Sequence, residues 1–126
     1  MKKVNLNSAL NSIEEYWSPL IIQELNGQMV KLAKLKGEFT WHQHDKEDEL
    51  FYVLKGQLIV EFEKNKIELR EGEMMTIPRG TPHRPLALEE VHVLLFEPAS
   101  TINTGNEENE LTRKTLERYT DEDSFH

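Results

Sequence analysis

From Leu20 onward, runs rich in Ile, Val, Leu and Phe are cut about every 8–12 residues by Gly, Pro or charged turns. That rhythm predicts an all-β sandwich or barrel. Strands are expected at about 20–25, 28–36, 39–44, 49–55, 57–63, 66–70, 74–77, 83–87 and 91–97. Gly27, Gly37, Gly56, Gly72 and Gly80 fall between them or at their ends, where turns need glycine. Leu58, Val60 and Phe62 alternate with polar neighbours and face one way. In Val91–Phe96 both faces are apolar, so that strand is expected to be covered on both sides.

The two ends read differently. Leu6, Leu10 and Ile13 keep helical spacing, Ser12 with Glu15 reads as a capping box, and Pro19 ends any helix. After Pro98 the chain is polar, with Leu111, Leu116 and Tyr119 widely spaced. It reads as an arm on the barrel or on a partner subunit, fraying at 121–126. The reading is one domain over residues 1–126: an N-terminal arm 1–27, a barrel core at about 28–97 and a C-terminal arm 98–126.

Composition narrows the chemistry. The net charge of -8 argues against a nucleic-acid or anionic-membrane partner. No cysteine is present, which excludes disulfides, zinc thiolates and cysteine nucleophiles. Any metal would be held by His, Asp or Glu. The lysines near Met1 precede no long apolar run, which reads as no signal peptide, and no segment approaches the roughly 18 apolar residues of a membrane helix. A cytoplasmic protein is expected.

His42 and His44 stand two apart on the strand expected at 39–44, so both imidazoles project from one face. If that strand pairs as a hairpin with the next, Glu49 returns beside them. Two neutral imidazoles and a carboxylate suit a first-row divalent ion. Glu47 has the same strand parity and is the rival carboxylate; Glu49 is preferred because it leads directly into Leu50–Leu54. Pro78, Gly80 and Pro82 bend and stiffen the approach to His83, which would complete a set of three His and one Glu.

These motifs resemble the cupin superfamily. Gly37, His42, His44, Glu49 and Gly56 supply the first motif, with four residues between His44 and Glu49 and six between Glu49 and Gly56. Gly72, Pro78, Gly80 and His83 supply the second. Two departures are visible: four residues, where five is usual, separate Gly37 from His42, and Ala87 takes the place of a terminal asparagine. The likeness spans about 28–97 and is strongest to small single-domain cupins called mannose-6-phosphate-isomerase-like, a name for similarity and not for activity.

The resemblance implies an antiparallel jelly-roll barrel, or double-stranded β-helix, with one divalent ion (Fe, Mn, Ni or Zn) in its mouth. It also implies a homodimer, for which Ile21, Ile22 and Leu25 offer an edge. A small-molecule metalloenzyme of oxygenase, isomerase or lyase type is expected, acting on a compact polar substrate that binds the metal. The alternative is a binding or sensing module without turnover. Phe51, Val53 and Phe62 are the expected pocket walls. Trp41, Met74 and Met75 read as packing, His92 as a satisfied core residue, and Arg79 and Arg84 as candidate clamps for an anion. Gln43 should face away from the histidines, and terminal His126 carries no role.

Overall fold

The structure, a computed structural model, describes residues 1–120 of the chain. The expected fraying at 121–126, and His126 with it, lies outside the described residues. The chain forms α1 (Leu6–Asn11), β1 (Leu20–Leu25), β2 (Gln28–Glu38), β3 (Glu49–Lys55), β4 (Gln57–Phe62), β5 (Lys66–Arg70), β6 (Met74–Ile77), β7 (His83–Pro98) and β8 (Glu117–Arg118). The sheet runs β5-β4-β7-β2-β1-β8, and β3 pairs with both β7 and β6. All of these pairs are antiparallel except the short β1–β8 contact. This is the expected jelly roll, mostly strand with one short helix.

Where two strands were expected at 83–87 and 91–97, one continuous strand runs through Leu88–Glu90. The first half of β7 pairs with β4 and the second half with β3, while β2 follows both. The β2 register shifts between Leu35 and Gly37, where three residues of β7 oppose one of β2. Such a bulge bends a strand from one sheet into the next. Leu88, Glu89 and Glu90 form the exposed outside of this corner.

Period-two alternation then sorts the side chains. Inward residues of β2, β3, β4 and β7 build the barrel core, including Leu35, Val53, Leu58, Val60, Val91 and Val93. Outward residues of the same strands are covered by the N-terminal segment. Ala9 and Leu10 of α1, with Leu20 and Ile22 of β1, bury Leu32, and Val30, Leu54, Leu94 and Tyr119 pack around them. The second face of β7 is covered at Leu94, while His92 and Phe96 stay half-exposed.

The ends differ from expectation in their details. Asn5 caps α1, its Oδ1 accepting from the Ser8 N–H at 3.0 Å. Ser12 sits at the other end, where its hydroxyl donates to the Ala9 carbonyl, so no capping box forms with Glu15. Ile21 and Ile22 are buried inside the chain, and β1 is flanked by β2 and β8. β8 covers that edge only at Leu20 and Ile21, and Leu25 stays exposed. Met74 is exposed rather than packed, while Met75 lies half-buried against the core.

Gly56 joins β3 to β4 at φ 86°, and a Cβ there would come within 2.9 Å of the Glu90 carbonyl oxygen at the corner of β7. Both the backbone and the space call for glycine. Gly56→Ala is expected to lower the free energy of unfolding by about 2 kcal/mol. Urea unfolding followed by circular dichroism measures this; an unchanged midpoint would contradict the close approach.

Candidate metal centre

Residues 39–48 do not form a strand, and the expected hairpin with β3 is absent. His42 instead bridges His83 at the start of β7. The His42 N–H donates to the His83 carbonyl at 3.0 Å, and the His83 N–H returns to the His42 carbonyl at 2.9 Å. The Gly80 N–H donates to the His44 carbonyl at 2.7 Å. The H-x-H segment is thus pinned onto the turn that delivers His83. The Phe39 N–H donates to the Pro85 carbonyl at 3.0 Å, so this segment continues along β7 on the β2 side and not beside β3.

The four ligand candidates meet nonetheless. Ring centroids lie 4.3 Å apart for His42 and His83, 5.0 Å for His42 and His44, and 5.8 Å for His44 and His83. Glu49 Oε1 is 3.4 Å from His44 Nε2 and 3.6 Å from His83 Nε2. One donor atom from each of the four residues lies within 4.8 Å of the others, and all four residues are buried. Around an ion with bonds of about 2.1 Å, neighbouring ligand atoms stand about 3 Å apart and opposed ones about 4.2 Å. The cluster is of that size.

Its hydrogen bonds suit a cation. His42 Nδ1–H donates to the Thr40 carbonyl at 2.9 Å, and His83 Nδ1–H to the Thr81 carbonyl at 2.8 Å. A carbonyl only accepts, so the proton sits on Nδ1 and Nε2 keeps its lone pair. His83 Nε2, Glu49 Oε1 and both ring nitrogens of His44 are buried without a hydrogen-bond partner. Such atoms are costly in an apolar interior unless something binds them. The donor set therefore fits a divalent ion.

Burial, and then the charge of His83, push His42 down to about 4. Burial works to raise Glu49, but the polar groups of Glu97, His44 and His83 around it outweigh burial and hold Glu49 well below the usual carboxylate range. Glu97 moves the opposite way, raised well above that range by burial and by the negative charge of Glu49.

Glu47 is not part of the cluster; its carboxylate accepts from the Ser100 hydroxyl at 2.9 Å. Arg79 is engaged by Asp48, which accepts from its backbone N–H at 2.9 Å and its Nε at 3.2 Å. Arg84 donates to Glu61 at 3.0 Å and lies over the ring of Trp41, which is 39% exposed and not packed inside. Gln43 is exposed, as expected. His92 faces outward and bonds Glu90 at 2.7 Å. None of these three basic residues reaches the cluster.

Sequence reading missed four residues that matter here. Trp17 stacks on Phe39 at 4.6 Å and donates its Nε1–H to the Lys36 carbonyl. Asn103 comes from the C-terminal arm. Lys31 and Glu97 form a buried ion pair at 2.8 Å. Their strand parity, shared with Ala33, Leu35, Val93 and Leu95, was the available signal. Trp17, Phe39, Phe51 and Leu95 wall a cavity of about 40 Å³ whose polar side includes His42, Glu49, Glu97 and Asn103. Of the expected walls only Phe51 lines it. Val53 is closed off in the core, and Phe62 lies half-buried beside it.

The C-terminal arm closes over this region. The Asn106 N–H donates to the Gln43 carbonyl and the Gln43 N–H to Asn106 Oδ1, both at 3.0 Å. Gly105 (φ 57°) passes so close that a Cβ would lie 2.1 Å from the Gln43 carbonyl oxygen. Asn103 ties the arm to itself, through Leu111 and Arg113.

Two outcomes are expected. Gly105→Ala should lift the arm, so that the Asn106 amide exchanges hydrogen at least tenfold faster; unchanged exchange would contradict the fit. Metal-free protein should lose stability as the pH falls from 6.5 towards 4. Neutral His42 gains no proton in the folded state over that range, while the unfolded chain does. The loss reaches about 3 kcal/mol and then levels off. Denaturant unfolding of chelator-treated wild type and His42→Gln measures it; equal pH slopes for the two would contradict it.

Comparisons with known proteins agree with this geometry. Residues 28–97 match the Cupin domain family. The chain is 41% identical to a cupin-2 domain containing protein of Shewanella frigidimarina, with a TM-score of 0.74, covering 75% of this chain and 93% of that one. It is 39% identical over 84 residues to Uncharacterized protein YdbB of Bacillus subtilis, covering 66% of this chain and 74% of that protein. It is 33% identical over 63 residues to 3-hydroxyanthranilate 3,4-dioxygenase 2 of Aspergillus fumigatus, covering 45% of this chain and 34% of that enzyme. The matched span holds both histidine motifs and the strands that carry them, and the chain belongs to the cupin family.

Proposed function

We propose that this cupin binds one divalent metal ion through His42, His44, Glu49 and His83 and acts on a compact, oxygen-bearing small molecule. The observation that carries the reading is the set of unpartnered, buried donor atoms converging beside the cavity. Iron, manganese, nickel and zinc all accept such ligands. A bound ion supplies a positive centre that polarises a substrate carbonyl or carboxylate, and a redox-active metal adds electron transfer.

The chain's own residues define the rest. The Nδ1–H bonds to Thr40 and Thr81 hold the His42 and His83 rings in a ligating orientation. Trp17, Phe39 and Phe51 keep one side of the cavity apolar, which excludes water and favours a small substrate body. At about 40 Å³ the cavity takes only a few non-hydrogen atoms, and Asn103 of the C-terminal arm is one of its walls, so a larger substrate requires the walls to give way. The dioxygenase relative supports an oxygenase among the possible activities. The small size of the cavity favours a second reading, in which the site binds its ligand without turnover.

His83→Ala is expected to reduce the metal content of protein purified without chelator to under a tenth of wild type, with an unchanged circular dichroism spectrum. Wild-type metal content in the variant would remove His83 from the ligand set. Iron, manganese, nickel and zinc forms are then offered small diketones, keto acids and sugar phosphates. Turnover supports the enzyme; a shift in melting temperature without turnover supports the binding module.

A further inference from the structure

Lys31 on β2 and Glu97 on β7 point into the barrel among apolar side chains, each 2% exposed. Burying two charges is costly, and apolar side chains of similar volume often serve stability as well. The barrel core does not need this pair in order to form. Its position suggests what it is for. The β3–β7 ladder sets Leu50 opposite Phe96 and Phe51 opposite Leu95. Continued by one residue, that register sets Glu49 opposite Glu97 with both side chains on the same side of the ladder, and both line the same cavity.

Lys31 Nζ occupies Glu97 Oε1 at 2.8 Å, and Glu97 Oε2 has no other side-chain or backbone partner. That leaves Oε2 as the atom free to meet Glu49. Glu49 in turn directs its Oε1 at His44 and His83. The contacts form one line from an ammonium group on β2, through a carboxyl on β7, to the carboxyl at the head of β3.

We infer that Lys31 and Glu97 are positioning residues for Glu49: Lys31 anchors Glu97, and Glu97 holds the Glu49 carboxyl with Oε1 turned to the histidines. As a statement about metal affinity this rests on the metal reading above; as a statement about the Glu49 side chain it does not. The pair touches no substrate in this role. It removes the freedom of a flexible glutamate at the one ligand that is not an imidazole.

The test uses the full chain as wild type, Glu97→Gln and the double variant Lys31→Met/Glu97→Leu, which fills the same space with apolar groups. Crystal structures of the metal-free proteins give the Glu49 orientation. Titration with Co2+ gives Kd and the visible spectrum of the bound ion. The double variant is expected to turn Glu49 away from His44 and His83, to weaken Co2+ binding by about 10- to 100-fold, and to alter the spectrum. Glu97→Gln, whose amide still spans Lys31 and Glu49, should keep Glu49 in place and Kd within about threefold. A Glu49 that stays in place in the double variant overturns the inference. A displaced Glu49 with unchanged Kd removes Glu49 from the ligand set and overturns the metal reading instead. If wild type takes up no divalent ion, the metal reading falls and the position of Glu49 still decides the inference. Should the double variant not fold, Glu97→Ala is read by the same two measurements against the same outcomes.

Discussion

Every inward side chain of β7 carries an odd number, from His83 at one end to Glu97 at the other. The strand keeps this parity through the corner at Leu88–Glu90, where it leaves β4 and joins β3. Much of the structure depends on that continuity. Pro85 and Ala87 close one sheet, and Val91, Val93 and Leu95 fill the barrel. The same face that buries apolar mass also presents a histidine and a glutamate to the interior. A slip of one residue would turn His83 and Glu97 outward and expose the core at the same time. Packing and site geometry are therefore selected together by one register.

The interior resolves an electrostatic problem in stages. Three imidazoles and two carboxyl groups share a low-polarity space, which disfavours their charged forms. His42 answers by staying neutral and giving its Nδ1 proton to a backbone carbonyl. Glu49 retains its charge because the polar groups around it outweigh its burial. Glu97 is pulled both ways, raised by burial and by the charge of Glu49 and lowered by the Lys31 ammonium beside it. What remains unsatisfied is a group of lone pairs aimed at one point, which is what a cation requires.

Closure of the site comes from outside the barrel strands. Trp17, held in a left-handed turn at φ 59°, places an aromatic wall against Phe39. The arm beyond Pro98 lays Gly105 against the backbone of Gln43, one residue from each of two ligand histidines. Both segments are tied by backbone hydrogen bonds and carry few apolar side chains. Trp17 is itself part of the barrel core, and Thr101 and Thr104 of the arm are buried.

The four clustered residues and the barrel were legible in the residues because they depend largely on local relations. Two-residue spacing places His42 and His44 on one side, glycines mark the turns, and alternation marks the inward face of β4 and of both halves of β7. Contacts between distant segments were not legible. Nothing near His42 in the chain says that its backbone partner is His83 rather than the strand at Glu49. Nothing near Lys31 says that a glutamate 66 residues away will neutralise it. Met74 sits in an apolar-looking run, yet β6 pairs only with β3 among the described residues and leaves it exposed; Trp41 lies outside any strand, beneath Arg84. Side-chain direction follows from the period of a strand, which a sequence displays. Cross-strand partners follow from register and topology, which arise only when strands far apart in the chain compete to bury the same faces.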